Sequence, residues 1–301
     1  MRVSAAADAF LRYCSEEKHL SQNTLNAYRQ DIAEFRSHIG GSRPVAKVGA
    51  ADLLAYRNDL SAVRRLAAAT VKRRLACLRT MFAWLVRRDV ITDSPFARTE
   101  LRIRLPARLP RCIESRDVRR LMRHRGAHGA DFALAIGLLL ATGMRVGELA
   151  DLRLSDVDAA GGRLRIMGKG SRERTVFVTD GRLRDDLREY IKARHGGSAL
   201  TAERRLLIDT RGHALTSPRI RNAIVQLGRI AGIDRRVTPH MLRHTAATML
   251  LESGTDIRFV QRLLGHRSIL TTQIYTHVSD RALQAALTRA NILGNFMATK
   301  T

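Results

Sequence analysis

Five side chains in the second half of the chain have the chemistry that breaking a phosphodiester bond requires. They lie in the segments TGMRVGE, GKGSR, HMLRH and YTH, and they are Arg145, Lys169, His240, Arg243 and Tyr275. Arginine guanidinium groups grip the non-bridging oxygens of a phosphate in a planar fork and stabilise charge in the transition state. A tyrosine, whose pKa is ~10 in water, becomes a nucleophile beside a general base, and a lysine can protonate the leaving 5′-oxygen. The residue types therefore indicate transesterification at a nucleic-acid phosphate.

Each of these residues also has an ordinary structural explanation when it is considered singly. Arg145 could form a helix-terminal salt bridge with Glu148, and Lys169 could be a solvated residue of a glycine-rich turn. His240 could cap a helix, and Tyr275 could be half-buried with its hydroxyl in water. Their occurrence together in one strongly basic chain favours the catalytic interpretation.

A metal site is an alternative of a different class. His240 and His244 have the i, i+4 spacing of a zinc-binding helix, and His266 could be a third ligand. However, Met241 stands where the HExxH metalloproteases carry their general-base glutamate. Arg243 on the same helical face would also repel a cation. These two features disfavour a metal-dependent hydrolase.

The charge of the chain indicates a polyanionic partner. The 301 residues include 53 Lys and Arg against 28 Asp and Glu, which gives a formal net charge of +25. An arginine-rich surface inherited from a GC-rich genome would be a simpler explanation, but an excess of this size is typical of nucleic-acid-binding proteins. Double-stranded DNA is the partner that this charge and the phosphodiester chemistry predict together.

The sequence shows no membrane or secretion signal. The longest apolar run, Phe132–Ala141, is shorter than the ~18–20 residues of a spanning helix, and the N-terminus has no signal-type apolar stretch. Cys14, Cys77 and Cys112 are widely separated and form no CxxC pair, which is typical of reduced thiols. We expect a cytoplasmic, nucleoid-associated protein without a membrane partner.

Apolar periodicity predicts a small four-helix domain over residues 1–98. The predicted helices are Ala5–Glu17, Gln22–Ile39, Ala51–Leu60 and Ala69–Arg87. Ser21 is the predicted N-cap of the second helix. The predicted buried stripe of the fourth helix consists of Val71, Leu75, Leu78, Phe82 and Leu85. The opposite face of this helix, within TVKRRLACLRTMF, is expected to be basic.

Residues 99–111, with two prolines and four arginines, predict an extended basic linker. A second domain is expected over residues 112–301, mainly α-helical with a small β-sheet. Its predicted helices are Ser115–Arg125, Asp131–Ala141, Arg145–Leu152, Leu183–Arg194 and Ser217–Ala231. The segments RLRIM and RTVFV predict a hairpin whose glycine-rich tip presents Lys169.

A further helix is expected to begin at Thr238-Pro239, since a threonine N-cap precedes a proline at the first helical position. This start places His240, Arg243 and His244 on one face. Ser268 is the predicted cap of a helix that carries Tyr275.

With these segments in this order, the chain resembles the tyrosine recombinase (phage integrase) family, and within it the Xer type. The segment LSQNTLNAYRQDIAEF resembles the opening of the family's core-DNA-binding, SAM-like domain. The segments ATGMRVGEL, GKGSRERTV, HMLRHTAAT, LLGH and YTHV appear in family order. The resemblance covers nearly the whole chain and implies two domains that form a clamp on DNA.

The resemblance also implies a role for each residue of the site. Arg145 and Arg243 are similar to the two catalytic arginines, and Glu148 to the acidic residue that supports the first. Lys169 is similar to the hairpin lysine that acts as general acid, and His240 to the base. His266 is similar to the last phosphate-contacting histidine and Tyr275 to the nucleophile.

The reaction implied is site-specific recombination through a 3′-phosphotyrosine and a Holliday junction, with neither ATP nor a metal. Four protomers on two duplexes with paired inverted half-sites are expected, as a homotetramer or as a heterotetramer with a second recombinase. A C-terminal helix over about 281–298 would dock in the next protomer. Type IB topoisomerase activity is the competing function, because that class uses the same chemistry on a related catalytic domain.

Overall fold

The computed structural model describes residues 1–97, 101, 103, 112–158, 160–168, 172–196 and 203–265. The chain divides into two compact units, Met1–Ala107 and Arg108–Thr301. Most of the expected linker, the expected helices that carry Tyr275 and residues 281–298, and the residues Lys169, His266 and Ser268 lie outside the described part. Among the described residues, no helix is long and apolar enough to cross a membrane.

The first unit contains the four predicted helices. They are α1 (Val3–Glu16), α2 (Gln22–Ile39), α3 (Ala50–Asn58) and α4 (Ala68–Arg87). Ser21 caps α2, and its hydroxyl accepts the backbone N–H of Thr24 at 3.4 Å. The third helix was expected to reach Leu60, but α3 ends at Asn58 and a π-helical turn follows over Asp59–Val63. The ends of the other helices lie within two residues of their predicted positions.

The burial of α4 agrees with its predicted apolar stripe, whose members are all buried in the core of this unit. The opposite face differs from the expectation at Arg74, which is buried rather than part of the basic face. Its guanidinium lies 3.2 Å from a carboxylate oxygen of Glu34 and 3.8 Å from the fully buried Asp31. Two acidic residues on α2 hold this arginine inside, because a buried cation needs paired carboxylates. Lys72 and Arg73 remain exposed on α4.

The second unit is mainly α-helical with one two-stranded antiparallel sheet, as predicted. Its elements are α5 (Ser115–His124), α6 (Ala130–Thr142), α7 (Val146–Asp151), β1 (Arg163–Gly168), β2 (Arg172–Phe177), α8 (Gly181–His195), α9 (Ser217–Ile230), α10 (Pro239–Glu252) and α11 (Ile257–Leu264). In the sheet, Leu164 pairs with Val176 and Ile166 with Arg174. The buried side chains of Leu164, Ile166 and Val176 attach this sheet to the main core.

Helix α10 begins as its sequence predicts. The Thr238 hydroxyl accepts the backbone N–H of Met241 at 3.4 Å, and Pro239 occupies the first helical position. The buried face of α10 includes Met241, Leu242 and Arg243, and the helix packs against α6. The following helix, α11, ends at a glycine in the left-handed region, Gly265, with φ 64°. These local signals position the residues of the site that α10 carries.

Candidate active site

A cleft of about 580 Å³ in the second unit collects four of the predicted site residues. Arg145 and Glu148 reach it from the start of α7, and His240 and Arg243 from the first turns of α10. Arg221, on α9, lines the same cleft and was not predicted as a site residue. Lys169, His266 and Tyr275 lie outside the described residues.

Arg145 is placed by a tight turn between α6 and α7. Gly143 ends α6 with φ 62°, and a Cβ there would come within 2.9 Å of the Leu264 side chain, so the position favours glycine. The backbone N–H of Arg145 donates to Glu148 Oε2 at 2.7 Å, and its Nη1 donates to Glu148 Oε1 at 2.9 Å. The helix-terminal salt bridge therefore forms, while 42% of the Arg145 side chain stays exposed. The structural and the phosphate-binding interpretations are compatible.

Glu148 is held from its other side by Arg174 of β2. Arg174 Nη1 donates to Oε1 at 2.9 Å and Nη2 donates to Oε2 at 2.8 Å, while only 7% of the Glu148 side chain is exposed. Burial alone would raise the pKa of Glu148, but the hydrogen bonds from Arg174 and Arg145 bring its pKa below the ordinary value. Glu148 is therefore an ionised carboxylate that orients the Arg145 guanidinium.

Arg174 also connects the sheet to α11. Its Nε donates to the carbonyl oxygen of Leu263 at 2.9 Å. A Cβ at Gly265 would lie 3.2–3.3 Å from the Arg174 guanidinium, so the end of α11 approaches it closely. Sequence reasoning missed this residue, although a signal was present. Arg174 and Val176 are two residues apart and therefore lie on the same, inward face of β2, where a charge needs a buried partner.

Arg243 is anchored by backbone carbonyls. Its Nη1 donates to the carbonyl oxygen of Gly143 and its Nη2 to that of Leu264, both at 2.7 Å. These carbonyls lie at the C-terminal ends of α6 and α11, where helical oxygens have no partner within their own helix. The side chain is 4% exposed and lines the cleft. Its guanidinium is thus oriented before any ligand binds.

His240 and His244 lie one turn apart on α10, with ring centroids 6.3 Å apart. Partial desolvation lowers the pKa of His240, which is still solvent-exposed, and the charges of Arg243, Arg221 and Arg145 lower it further. Burial, His240 and Arg243 likewise lower the pKa of His244. His240 is therefore a neutral imidazole that can accept a proton. The same positive surroundings oppose the binding of a metal cation, as the sequence argument also indicated.

Comparison with family models matches both units. The description "Phage integrase family" fits residues 111–282, and "Phage integrase, N-terminal SAM-like domain" fits residues 7–89. The fold and these matches define an enzyme that cleaves and rejoins DNA strands. The chain belongs to the phage integrase family, the tyrosine recombinases, and its function is site-specific recombination.

Curated relatives are similar over almost their full length. A protein named tyrosine recombinase XerC from Roseiflexus castenholzii is 37% identical over 292 residues, which cover 93% of this chain and 91% of the relative. A tyrosine recombinase from Agathobacter rectalis is 32% identical over 283 residues, covering 90% and 91% of the two chains. The similarity therefore extends through both units.

Solved structures share the fold. A lambda integrase dimer bound to a core site has a TM-score of 0.76 at 19% identity, with coverage of 93% of this chain and 97% of that one. The XerH site-specific recombinase bound to a palindromic substrate has a TM-score of 0.74 at 22% identity, with coverage of 93% and 84%. At these identities the likeness concerns the fold alone.

Proposed function

We propose that the chain exchanges DNA strands through a 3′-phosphotyrosine formed by Tyr275, followed by a Holliday junction. The observation that carries this proposal is the cleft in which Arg145, His240 and Arg243 face one space. Two of these side chains are arginines that are already held by a carboxylate or by backbone carbonyl oxygens, and the third is a neutral base. This is the arrangement that transesterification at a phosphate requires.

The two arginines would stabilise the transition state. Glu148 orients Arg145, and two carbonyl groups orient Arg243, so little reorganisation is needed when a phosphate enters the cleft. As the phosphorus becomes five-coordinate, charge builds on its non-bridging oxygens, and the guanidinium groups donate hydrogen bonds to them. We also propose that His266 contacts the same phosphate, as the family resemblance implies.

Two proton transfers complete the cleavage step. The Tyr275 oxygen attacks phosphorus and its proton passes to His240, while the bond to the 5′-oxygen breaks and Lys169 protonates that oxygen. Rejoining reverses these steps with the 5′-hydroxyl of the partner strand as nucleophile. Because the phosphotyrosine conserves the energy of the phosphodiester bond, ATP is not required. A metal is not required either, because the two arginines supply the charge stabilisation that a metal would otherwise provide.

The proposal includes the organisation predicted from the sequence. Residues 1–98 form the core-DNA-binding domain, residues 99–111 a basic linker, and residues 112–301 the catalytic domain with a docking helix at about 281–298. The assembly is a tetramer on two duplexes with inverted half-sites, either of this chain alone or with a second recombinase. A lambda integrase tetramer bound to a Holliday junction shares the fold and supports this assembly. We place the reaction on nucleoid DNA in the cytoplasm.

A plasmid with two copies of the target site, taken from the DNA that flanks the gene, tests the proposal. Recombination appears as deletion or inversion of the segment between the sites, depending on their relative orientation. The competing topoisomerase function would relax supercoils without either product. Relaxation alone, on sites that the protein binds, would contradict the proposal.

A further inference from the structure

Arg221 is a cation in the cleft that has no assigned role. It lies on α9 and is exposed, and it lines the same space as Arg145, His240 and Arg243. In the part of the chain that the structure describes, its guanidinium makes no hydrogen bond or ion pair with a protein group. Its charge reaches the reacting groups, because it is one of the causes that lower the pKa of His240.

The neighbouring arginines differ from Arg221 in this respect. Arg145 is bound to Glu148 and Arg243 to two carbonyl oxygens. Arg219, two residues before Arg221 on α9, donates to a carboxylate oxygen of Asp209 at 2.9 Å. No carboxylate of the described ranges pairs with Arg221, which therefore brings positive charge to the cleft.

The charges of the cleft exceed what one phosphate can balance. Arg145, Arg221 and Arg243 line it, and Glu148, the one carboxylate among the described residues that line it, also binds Arg174. A phosphodiester carries one negative charge. Arg243 is buried and Arg221 is exposed, so Arg221 is the more accessible of the two to a DNA backbone that continues past the phosphate bound by Arg243.

We infer that Arg221 binds a DNA backbone phosphate next to the one that reacts. This inference rests on the proposed function, because it takes the Arg145 and Arg243 pair as the grip on the reacting phosphate. Arg221 then acts in binding and register, since a phosphate contact fixes the position of a duplex without reading its sequence. Arg221 is then the third arginine of the cleft that contacts the DNA backbone, and it takes no part in proton transfer.

The first test is the salt dependence of DNA binding by the full-length protein. The probe is a duplex selected from random sequence by its binding to the wild-type protein. We expect Arg221→Ala to make the slope of log K against log salt concentration less negative by about 0.9, the change for one lost phosphate contact. Arg221→Lys should retain the wild-type slope. Arg219→Ala is the matched control, because it removes the same charge from the same helix where Asp209 already holds the guanidinium.

The second test locates the phosphate. Duplexes carrying a single neutral methylphosphonate at each position of the binding footprint are compared for the wild type and Arg221→Ala. At one position beside the cleavage site, neutralisation should weaken wild-type binding by about tenfold, as expected for loss of a charged hydrogen bond. The same substitution should cause no further loss in Arg221→Ala, because the two changes remove one interaction.

Three outcomes would overturn the inference. They are an unchanged slope in Arg221→Ala, an equal slope change in Arg219→Ala, and a methylphosphonate scan without a position coupled to Arg221. The proposed function fails separately, if the wild-type protein forms no covalent adduct with a nicked duplex. In that case the slope and the scan still determine whether Arg221 holds a phosphate.

Discussion

Arg174 and Glu148 form a bidentate ion pair with nitrogen–oxygen distances of 2.9 and 2.8 Å. This pair joins β2 to α7, and through the Leu263 carbonyl it also reaches the end of α11. The same carboxylate holds Arg145 in the cleft. Arg174, which does not line the cleft, thus connects β2 and the end of α11 to the start of α7, where Arg145 and Glu148 lie.

Substitution of Arg174 should therefore reduce both stability and activity. Arg174→Ala leaves Glu148 buried with Arg145 as its remaining cation, and we expect a loss of about 3 kcal/mol in the free energy of unfolding. Arg174→Lys should recover part of the stability but little of the cleavage rate, because an ammonium group cannot reproduce the fork and the third hydrogen bond. Urea unfolding and adduct formation on nicked duplexes measure the two effects.

A matched control for Arg174 is Arg188→Ala, which removes an exposed arginine paired with Asp185 on α8. Exposed pairs contribute at most about 1 kcal/mol, so this variant should unfold nearly as the wild type does. Equal effects of the Arg174 and Arg188 substitutions would show that the Arg174–Glu148 pair does not organise the site.

The nucleophile is tested by Tyr275→Phe, which removes one oxygen atom. The variant should bind DNA nearly as tightly as the wild type, because affinity comes mostly from contacts to the phosphate backbone. It should give no denaturation-resistant protein–DNA adduct on a nicked duplex. An adduct with this variant would assign the nucleophile to another residue.

The metal chelator EDTA should leave cleavage by the wild type unchanged, because the proposed mechanism uses no metal. A strict requirement for a divalent metal would instead support the alternative of a metal site formed by His240, His244 and His266.

The general acid is tested by Lys169→Ala on two substrates. On normal DNA the variant should cleave at least about a hundredfold more slowly, since the leaving 5′-oxygen lacks its proton donor. On DNA with a 5′-bridging sulfur the rate should recover, because a thiolate leaves without protonation. Arg145→Lys should not be rescued by sulfur, as its defect lies in the grip on the phosphate. Equal defects of Lys169→Ala on both substrates would place the acid elsewhere.

The stability of the protein should fall with acidification in a window that His240 and His244 define. Both have folded-state pKa values below the ordinary 6.5, so the unfolded state binds more protons in that range. The free energy of unfolding should therefore decline as the pH falls below about 6.5. The decline should end once the pH is below the lowered folded-state pKa values of the two histidines. The double variant His240→Gln, His244→Gln should lose much of this decline in urea titrations at successive pH values. Parallel declines in the two proteins would contradict the assignment.

Acidification below this window affects a different group. The folded-state pKa of Glu148 is below its ordinary 4.5, so the stability that the ionised carboxylate contributes is present above pH 4.5 and is lost as the pH falls through the lowered value. The variant Glu148→Gln should lose the part of this second decline that Glu148 contributes and retain the first. Glu34, Asp158 and Asp209, whose pKa values are also lowered, contribute the remainder. The two windows thus separate the histidine pair from the ion pair in one series of titrations.

Local features of the sequence determined the secondary structure. Ser21 and Thr238 cap helices through side-chain oxygens, and Gly265 ends α11 with a positive φ. Such signals act within a few residues, so they can be read without a fold. The motifs around Arg145 and His240 likewise indicated phosphate chemistry, although their roles, and those of Lys169, His266 and Tyr275, remain predictions.

Tertiary structure decided which charged side chains meet. Arg174 finds its carboxylate 26 positions earlier in the chain, and Arg74 finds Glu34 at a separation of 40. A basic segment has the same sequence whether its arginines are exposed to water or buried beside a carboxylate. The sequence therefore did not distinguish the buried Arg74 from its exposed neighbours. Arg221 enters the cleft only because α9 packs beside α7. Periodicity reports which face of an element is buried, but the partner of a charge depends on which elements the core brings together.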